Sequence, residues 1–502
     1  MNKTQLKKIR DTLVKKQTLV FDQLTKIQKS QAFKFNDLYK TFLDQSKTER
    51  EATRKIVKTA RDNGFVNIDT VISKRLKSKN SKKNQTTKVY KVFQDRCVAL
   101  AVLGKDSLVN GTNIIASHLD SPRLDLKQNP VYEDLSMGLL KTHYYGGIRK
   151  YHWLAVPLAL HGTIVTAKGP IDITIGESPD DPVFTVTDLL PHLATKLQAN
   201  KKLSEAFEGE KLNLIAGSIP LGGEKEKDRF KLGVLNLLYE KYKITEEDFV
   251  SAEIEAVPAE KARDIGFDRS MIGSYGQDDR VCAYTSFRAI MDTSSCDRTA
   301  VALFFDKEEI GSEGSSGAKS NFLEDVMSDL LFISGQDMGN RSLRKALINS
   351  SCLSADVNAA MDPDFKGVHE EMNAAKLGFG VCMTKFTGVG GKSGSSDASA
   401  EFVGRIRQIF NKNRIVWQTG ELGKIDEGGG GTVAKFLAKF GMNVLDCGPA
   451  VLSMHSPFEI SSKADVYMTY LGYKAFYTDN DSGNDFGHDS GNDSGNDFGN
   501  GK

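Results

Sequence analysis

Residues 301–312 read VALFFDKEEIGS, and this stretch decides how the rest of the chain is read. Val301, Ala302, Leu303, Phe304 and Phe305 form an unbroken apolar run, the pattern of a strand buried on both faces of a parallel sheet. Asp306, Lys307, Glu308 and Glu309 follow at once, then Gly311. Taken alone, a charged turn leaving a strand accounts for this. In open α/β sheets, however, functional groups gather at the carboxyl ends of strands. Two adjacent glutamates placed there are able to divide labour, one binding a metal ion and the other moving protons.

The same texture recurs on either side. Residues 113–117 form another apolar strand, ending in SHLDSPRLD, and 89–103 form two more. Beyond residue 262, apolar strands at 300–305, 351–354, 381–385, 416–419 and 451–454 alternate with helical stretches. That rhythm predicts an α/β fold with a mostly parallel central sheet flanked by helices. Residues 1–64 are expected to be helical: Phe35, Leu38, Tyr39 and Phe42 recur at helical spacing, Glu49, Glu51 and Arg54 take the polar side of the next turns, and Gly64 marks a helix end. From 127 to 257, short β runs (163–167, 171–175, 212–219) alternate with helical segments (188–199, 234–242), and no catalytic cluster falls among them. We read a β-rich domain, 127–257, inserted into a domain made of 1–126 and 258–477. Two polar segments are expected outside both cores. One is the lysine-rich stretch 78–87, a solvated loop; the other is the tail 478–502, a near four-residue repeat too poor in apolar groups to order itself. The tail's glycines fall too early for an EF-hand calcium loop.

Hydrophobic residues at 39% and charged residues at 26% suit a globular chain of 502 residues holding two domains. A formal net charge of +2 points to no polyanionic partner, nucleic acid included. The cysteines (Cys97, Cys282, Cys296, Cys352, Cys382, Cys447) contain no C-x-x-C pair, which argues against a disulfide framework and a thiolate zinc site. The first residues, MNKTQLKKIRDTLVKK, lack the apolar core of a signal peptide, and the apolar runs are too short to span a bilayer. A cytoplasmic location with no membrane partner is the expectation.

Other residues extend the chemistry of 308–309. His118 stands in H-x-D directly after a strand, where Asp120 is able to fix its tautomer. Asp278 and Asp279, in YGQDDR, precede a helix. Acids there favour the helix dipole, but one such carboxylate is also able to bridge two cations ~3.5–4 Å apart. Asp356, in CLSADVN, and His455, in VLSMHSP, close further apolar runs. Each is ordinary alone. Together His118, Asp278, Glu308, Glu309, Asp356 and His455 offer imidazoles and carboxylates without thiolates, a donor set suited to zinc, manganese or cobalt. Rival chemistries fail on spacing: Gly391, Lys392 and Ser393 resemble the end of a P-loop, but Phe386 stands where its first glycine belongs, and neither G-x-S-x-G nor a cysteine-nucleophile signature is present.

In order, SHLDSPRLDLK, YYGG, ARDIGFDRSMIGSYGQDDR, FFDKEEIGSEGSSGA, LSADVNAAMDP and MHS closely resemble the metalloaminopeptidase family of aspartyl aminopeptidase and vacuolar aminopeptidase I, most of all its bacterial branch, from about residue 36 to about residue 477. The resemblance implies a zinc-peptidase type of α/β fold and a co-catalytic pair of divalent ions, zinc first with cobalt or manganese as substitutes. His118 and Asp356 would hold one ion, Glu309 and His455 the other, and Asp278, with a cis peptide bond to Asp279, would bridge them. Glu308 would be the general base, and Asp120 the carboxylate behind the ligands. The insertion 127–257 would be an oligomerisation domain presenting His192 to a neighbouring subunit's active site in a large homo-oligomer, a dodecamer by resemblance. Substrates would be peptides trimmed from the N-terminus. A related di-metal carboxypeptidase or deacylase, or a non-catalytic assembly protein, are the alternatives. The chain departs from eukaryotic members at IRKYHWLAVPLALHG and at FTGVGGKSGSSDAS; the second stretch lies near the family's side-chain pocket, and there Lys385 and Lys392 are either the cations facing an acidic substrate or solubilising surface charges. The loop 428–431, all glycine, is a candidate for holding peptide carbonyls through its amides.

Overall fold

A computed structural model describes residues 1–77 and 87–479; the loop expected at 78–87, apart from Thr87, and the tail beyond Asp479 lie outside the described residues. Every residue of Ala300–Phe305 is buried, as its unbroken apolar run requires. This strand pairs parallel with Asn113–His118 and antiparallel with Cys97–Val102, both fully buried as well. Around them runs a nine-stranded sheet in the order Val66–Asn67, Lys88–Phe93, Cys97–Val102, Ala300–Phe305, Asn113–His118, Ser351–Ser354, Asn443–Gly448, Val381–Thr384, Trp417–Thr419. The four strands from Ala300–Phe305 to Asn443–Gly448 are mutually parallel, so their carboxyl ends open on one edge. Antiparallel neighbours interrupt the parallel order at Lys88–Phe93 with Cys97–Val102, at Cys97–Val102 with Ala300–Phe305, and at Asn443–Gly448 with Val381–Thr384.

Asn443–Gly448 is a central strand that the hydrophobic pattern hides, because Asn443, Asp446 and Gly448 break its apolar run. Pro449 then ends it, and the apolar run expected to close the same sheet becomes Ala450–Leu452 in a separate five-stranded sheet with Asn358–Ala359, Glu459–Ser462, Met271–Ser274 and Arg263–Ile265.

Residues 1–64 are helical in pieces: Lys3–Leu13, Val20–Gln23, Lys26–Asp44 and Glu49–Asp62, the last two each opened by a threonine capping box. Phe35, Tyr39 and Phe42 are buried on one stripe of Lys26–Asp44, whereas Leu38 falls outside it and is 56% exposed. Phe35 and Tyr39 each sit 5.2 Å from Tyr284, and Phe35 lies 4.6 Å from Tyr470, so aromatic rings join this helix to Gln277–Met291 and Lys463–Tyr477. Glu49, expected on a polar surface, is fully buried and bonded to Arg96 at 2.6 Å; a charged side chain this deep needs such a partner.

Residues 123–258 form an antiparallel sheet in the order Gly169–Ile175, Leu158–Thr166, Glu253–Pro258, Arg123–Asp134, Met137–Tyr145, Leu214–Gly217. Helix Arg229–Tyr242 lays Val234 on its apolar face with Leu140 and Ile173. The expected helix at 188–199 shortens to Pro191–Ala194 and one wider turn, Thr195–Ala199. Among the described residues no helix is long and apolar enough to cross a membrane.

Buried His161 ties this sheet to helix Glu49–Asp62, with Glu51 at 2.8 Å on one ring nitrogen and Glu177 at 3.0 Å on the other. Burial lowers its pKa, but the two carboxylates outweigh burial and raise it. A raised native pKa stabilises the fold fully below the unfolded value of about 6.5 and loses that contribution as pH climbs through the native value. His161→Gln is therefore expected to cost on the order of 1–3 kcal/mol at pH 6, the usual penalty for unsatisfied buried partners. Urea unfolding should show the gap to wild type narrowing as pH rises; a pH-independent gap would exclude the charged pairing.

Candidate metal centre

The shared edge of the parallel strands gathers the candidates. His118 is the last residue of its strand, Asp356 follows Ser351–Ser354, and Glu308 and Glu309 form the one-turn 3-10 helix after Ala300–Phe305. Asp278 does not end a strand. It lies at the start of Gln277–Met291, where Asp278 and Asp279 depart from helical geometry and are joined by a cis peptide bond. His455 arrives from the small sheet, just past Ala450–Leu452, with φ +64°.

The two oxygens of Asp278 face different imidazoles: Oδ1 lies 3.3 Å from His118 Nε2 and Oδ2 lies 3.2 Å from His455 Nε2. Glu309 Oε2 is 3.4 Å from His455 Nε2, and Glu308 Oε2 is 4.0 Å from His118 Nε2. Donor atoms of His118, Asp278 and Glu309 lie within 4.8 Å of one another, and so do those of His118, Asp279 and Asp356. Asp279 was absent from the expected ligand set; an acid beside a ligand at a helix start carries no sign in the sequence of which one turns inward.

Both imidazoles leave Nε2 for the site. His118 Nδ1 lies 3.0 Å from the Asp120 carbonyl and His455 Nδ1 lies 3.0 Å from the Gly147 carbonyl, so each Nδ1–H donates to an acceptor and the Nε2 lone pair is the ligand atom. The carboxylates are crowded and dry. Burial raises the pKa of Asp279, Glu309 and Asp356 well above the usual range and lifts Glu308 to about 7. Burial acts the same way on Asp278, but the bonds to His118 and His455 outweigh it and hold Asp278 low. Asp279 Oδ1 and Glu309 Oε1 are buried with no hydrogen-bond partner among the described residues. Unpartnered buried oxygens beside free imidazole lone pairs are what divalent cations satisfy, so the residues fit a metal centre.

Sequence reasoning missed Glu459. Its buried carboxylate accepts from His455 N at 2.8 Å and from Asp278 N at 3.1 Å, fixing the backbone under two candidate ligands, and burial lifts it to about 8. Because both bonds are to main chain, no residue pairing in the sequence announces them.

A cavity of about 390 Å³ opens beside the cluster, walled by Asn358, Thr384, Thr432, Lys435, Asp446 and the glycines 429–431. Gly429 has φ +140° and its missing Cβ would fall 2.2 Å from the Gly388 carbonyl, so only glycine fits that wall. Lys385 and Lys392 do not line the cavity; both bind Asp397, at 2.6 and 3.1 Å. Lys435 is the lysine that does line it. His192 is exposed on Pro191–Ala194 and does not line the cavity.

The family model described as aminopeptidase I zinc metalloprotease (M18) matches residues 42–477. A probable M18 family aminopeptidase 1 of Clostridium acetobutylicum is 48% identical over 465 residues, covering 92% of this chain and 98% of that protein. The crystal structure of an M18 family aminopeptidase from Thermotoga maritima superposes with a TM-score of 0.87 at 45% identity, over 93% of this chain and all of that one. More distantly, the S. cerevisiae mApe1 dodecamer shares the fold with a TM-score of 0.68 at 19% identity, over 89% of this chain and 96% of that one.

Proposed function

Since the chain belongs to the M18 family of aminopeptidase I zinc metalloproteases, its activity is that of a zinc-dependent aminopeptidase, and we propose that hydrolysis runs through two ions on the zinc-peptidase edge of the α/β sheet. Membership selects release from the N-terminal end over the carboxypeptidase, deacylase and scaffold readings. His118 and Asp356 would hold one ion, with Asp279 beside them, Glu309 and His455 would hold the other, and Asp278 would serve both. The observation that carries this is the split of Asp278, one oxygen toward each imidazole. Zinc is the family's metal, and cobalt or manganese suit the same nitrogen and oxygen donors.

Bound there, the cations supply Lewis acidity, which acidifies water and polarises the scissile carbonyl. Glu308 does the proton work. Its carboxylate, at the cavity wall and 4.0 Å from His118 Nε2, is placed to take a proton from the attacking water and return it to the departing amine. Asp120 holds the His118 ring by its Nδ1 side. The cavity beside the cluster receives the N-terminal side chain, with Lys435 at its wall.

We further read 127–257 as an inserted oligomerisation domain within a catalytic domain of 1–126 and 258–477, forming a large homo-oligomer in the cytoplasm. Leu189, Leu190, Leu193 and Leu197 flank His192 in sequence and are exposed, apolar surface of the kind that marks an interface. His192 would then reach a neighbour's site and not its own. The dodecameric assembly of the yeast relative is the size expected.

The ion count is tested by stripping the protein with a chelator and returning zinc stepwise. Cleavage of a peptide with a free N-terminus should reach its plateau at two equivalents per chain, and its N-acetylated form should stay intact. A plateau at one equivalent would overturn the two-ion site.

A further inference from the structure

We propose that the end of the strand Met137–Tyr145 and the turn after it are a positioning element of the metal centre, so that the antiparallel sheet aims both imidazoles and the backbone of both glutamates. The proposal rests on the metal reading above.

The Tyr145 hydroxyl donates to Asp120 Oδ2 at 2.8 Å. The same oxygen accepts from Glu309 N at 3.1 Å, and Oδ1 accepts from Glu308 N at 3.1 Å and lies 3.3 Å from His118 Nδ1. A carboxylate has about four acceptor sites; three take these hydrogen bonds, and the fourth faces the His118 ring, whose Nδ1–H donates to the carbonyl of the same Asp120. Asp120 is thus a fixed hub from which His118, Glu308 and Glu309 are suspended, and Tyr145 is the one of its four partners that comes from the antiparallel sheet.

The phenol is itself held. Arg123, directly opposite Tyr145 in strand register, lies with its guanidinium 3.9 Å from the ring centroid. Arg123 is buried and paired with Asp125 at 2.8 Å, Glu255 at 3.2 Å and Glu49 at 3.4 Å. The ring therefore has little freedom to leave Asp120.

The next residues continue the contact. Gly146, at φ +73°, passes so close to Glu309 that an added Cβ would lie 3.3 Å from Glu309 Cβ. The Gly147 carbonyl accepts from His455 Nδ1, and a Cβ on Gly147 would lie 3.2 Å from that nitrogen. Three consecutive residues thus touch the hub behind His118, the Glu309 side chain and the second imidazole. Partners of this kind behind metal ligands typically change metal affinity by about 10–100-fold when removed.

Tyr145→Phe removes the hydroxyl and keeps the ring on Arg123. We expect zinc affinity, read by competition with a chromophoric chelator, to fall about 10–100-fold, the visible spectrum of the cobalt-loaded protein to shift, and kcat to fall with KM little changed. The thermal midpoint of the metal-free protein should fall by less than that of the zinc-loaded protein. Wild-type zinc affinity and spectrum in this variant would overturn the proposal, as would an equal loss of stability without metal, which would make Tyr145 a structural support only. Should Tyr145→Phe fail to fold, Gly147→Ala presses on His455 alone and is read in the same way. If wild type binds a single zinc and Tyr145→Phe still weakens it, the two-ion reading falls and this one stands.

Discussion

Glu308→Gln is expected to keep its zinc and lose turnover by about a hundredfold or more, the usual contribution of a positioned general base. That factor corresponds to about 2.7 kcal/mol of barrier. Glutamine preserves the size of Glu308 and its place 4.0 Å from His118, but it accepts no proton. Glu309→Gln should behave differently, because Glu309 faces His455 at 3.4 Å with a second oxygen that has no hydrogen-bond partner among the described residues. It weakens a ligand, so it should arrive short of zinc and recover part of its activity as zinc is added, by mass action. Zinc content and turnover across a zinc titration separate the two. An empty, zinc-rescued Glu308→Gln would reverse the roles, and undiminished peptide cleavage by both would remove the metal centre from the mechanism.

Leu193→Asp should break the assembly and silence the enzyme together. Leu193 is 60% exposed next to His192, inside the patch assigned to the subunit interface. A carboxylate there cannot be buried without a partner. Light scattering should show the wild type as a large particle and Leu193→Asp as a smaller one. The role proposed for His192 at a neighbour's site is to donate to the oxyanion of the tetrahedral intermediate, so the dissociated form and His192→Ala should each lose roughly 10²–10³ in kcat, the range for one such donor. Full activity from a monomer would reject that role, and a wild type that scatters as a monomer would reject the interface.

How much of this was legible in the sequence depends on where each residue's partners lie. Ala300–Phe305 announces itself because burial on both faces demands an unbroken apolar run, and its charged exit is visible for the same reason. His118, Asp278, Glu308, Glu309, Asp356 and His455 are legible as chemically loaded residues beside apolar runs, and the fold does bring them together. Strand direction is not legible, since a buried antiparallel strand such as Cys97–Val102 carries the same run as a parallel one. Asn443–Gly448 escapes because Asp446 points a polar group at the cavity from the middle of a core strand. Glu459 and Tyr145 escape because their bonds reach across the fold to main chain and to another acid. Lys385 and Lys392 read as free cations in the sequence because nothing in it shows that Asp397, twelve and five residues further on, pairs with both.

The glycine wall of the cavity bears on redesign of the enzyme's selectivity. Gly429 stands 2.2 Å, in Cβ terms, from a carbonyl of the facing loop, and Gly428 would meet the Leu422 carbonyl at the same 2.2 Å. Main chain meets main chain there, so no library of side chains at 428 or 429 will yield a working pocket of another shape. Thr384, Thr432 and Lys435 face the same space with side chains, but Thr384 is buried and bonded to Asn358 and Thr432 is bonded to Asp446, which leaves Lys435 as the position to vary. If the cavity takes the N-terminal side chain as proposed, charge at Lys435 is the first setting to change when a different N-terminal residue is wanted, and the glycines are the part of the mould to leave alone.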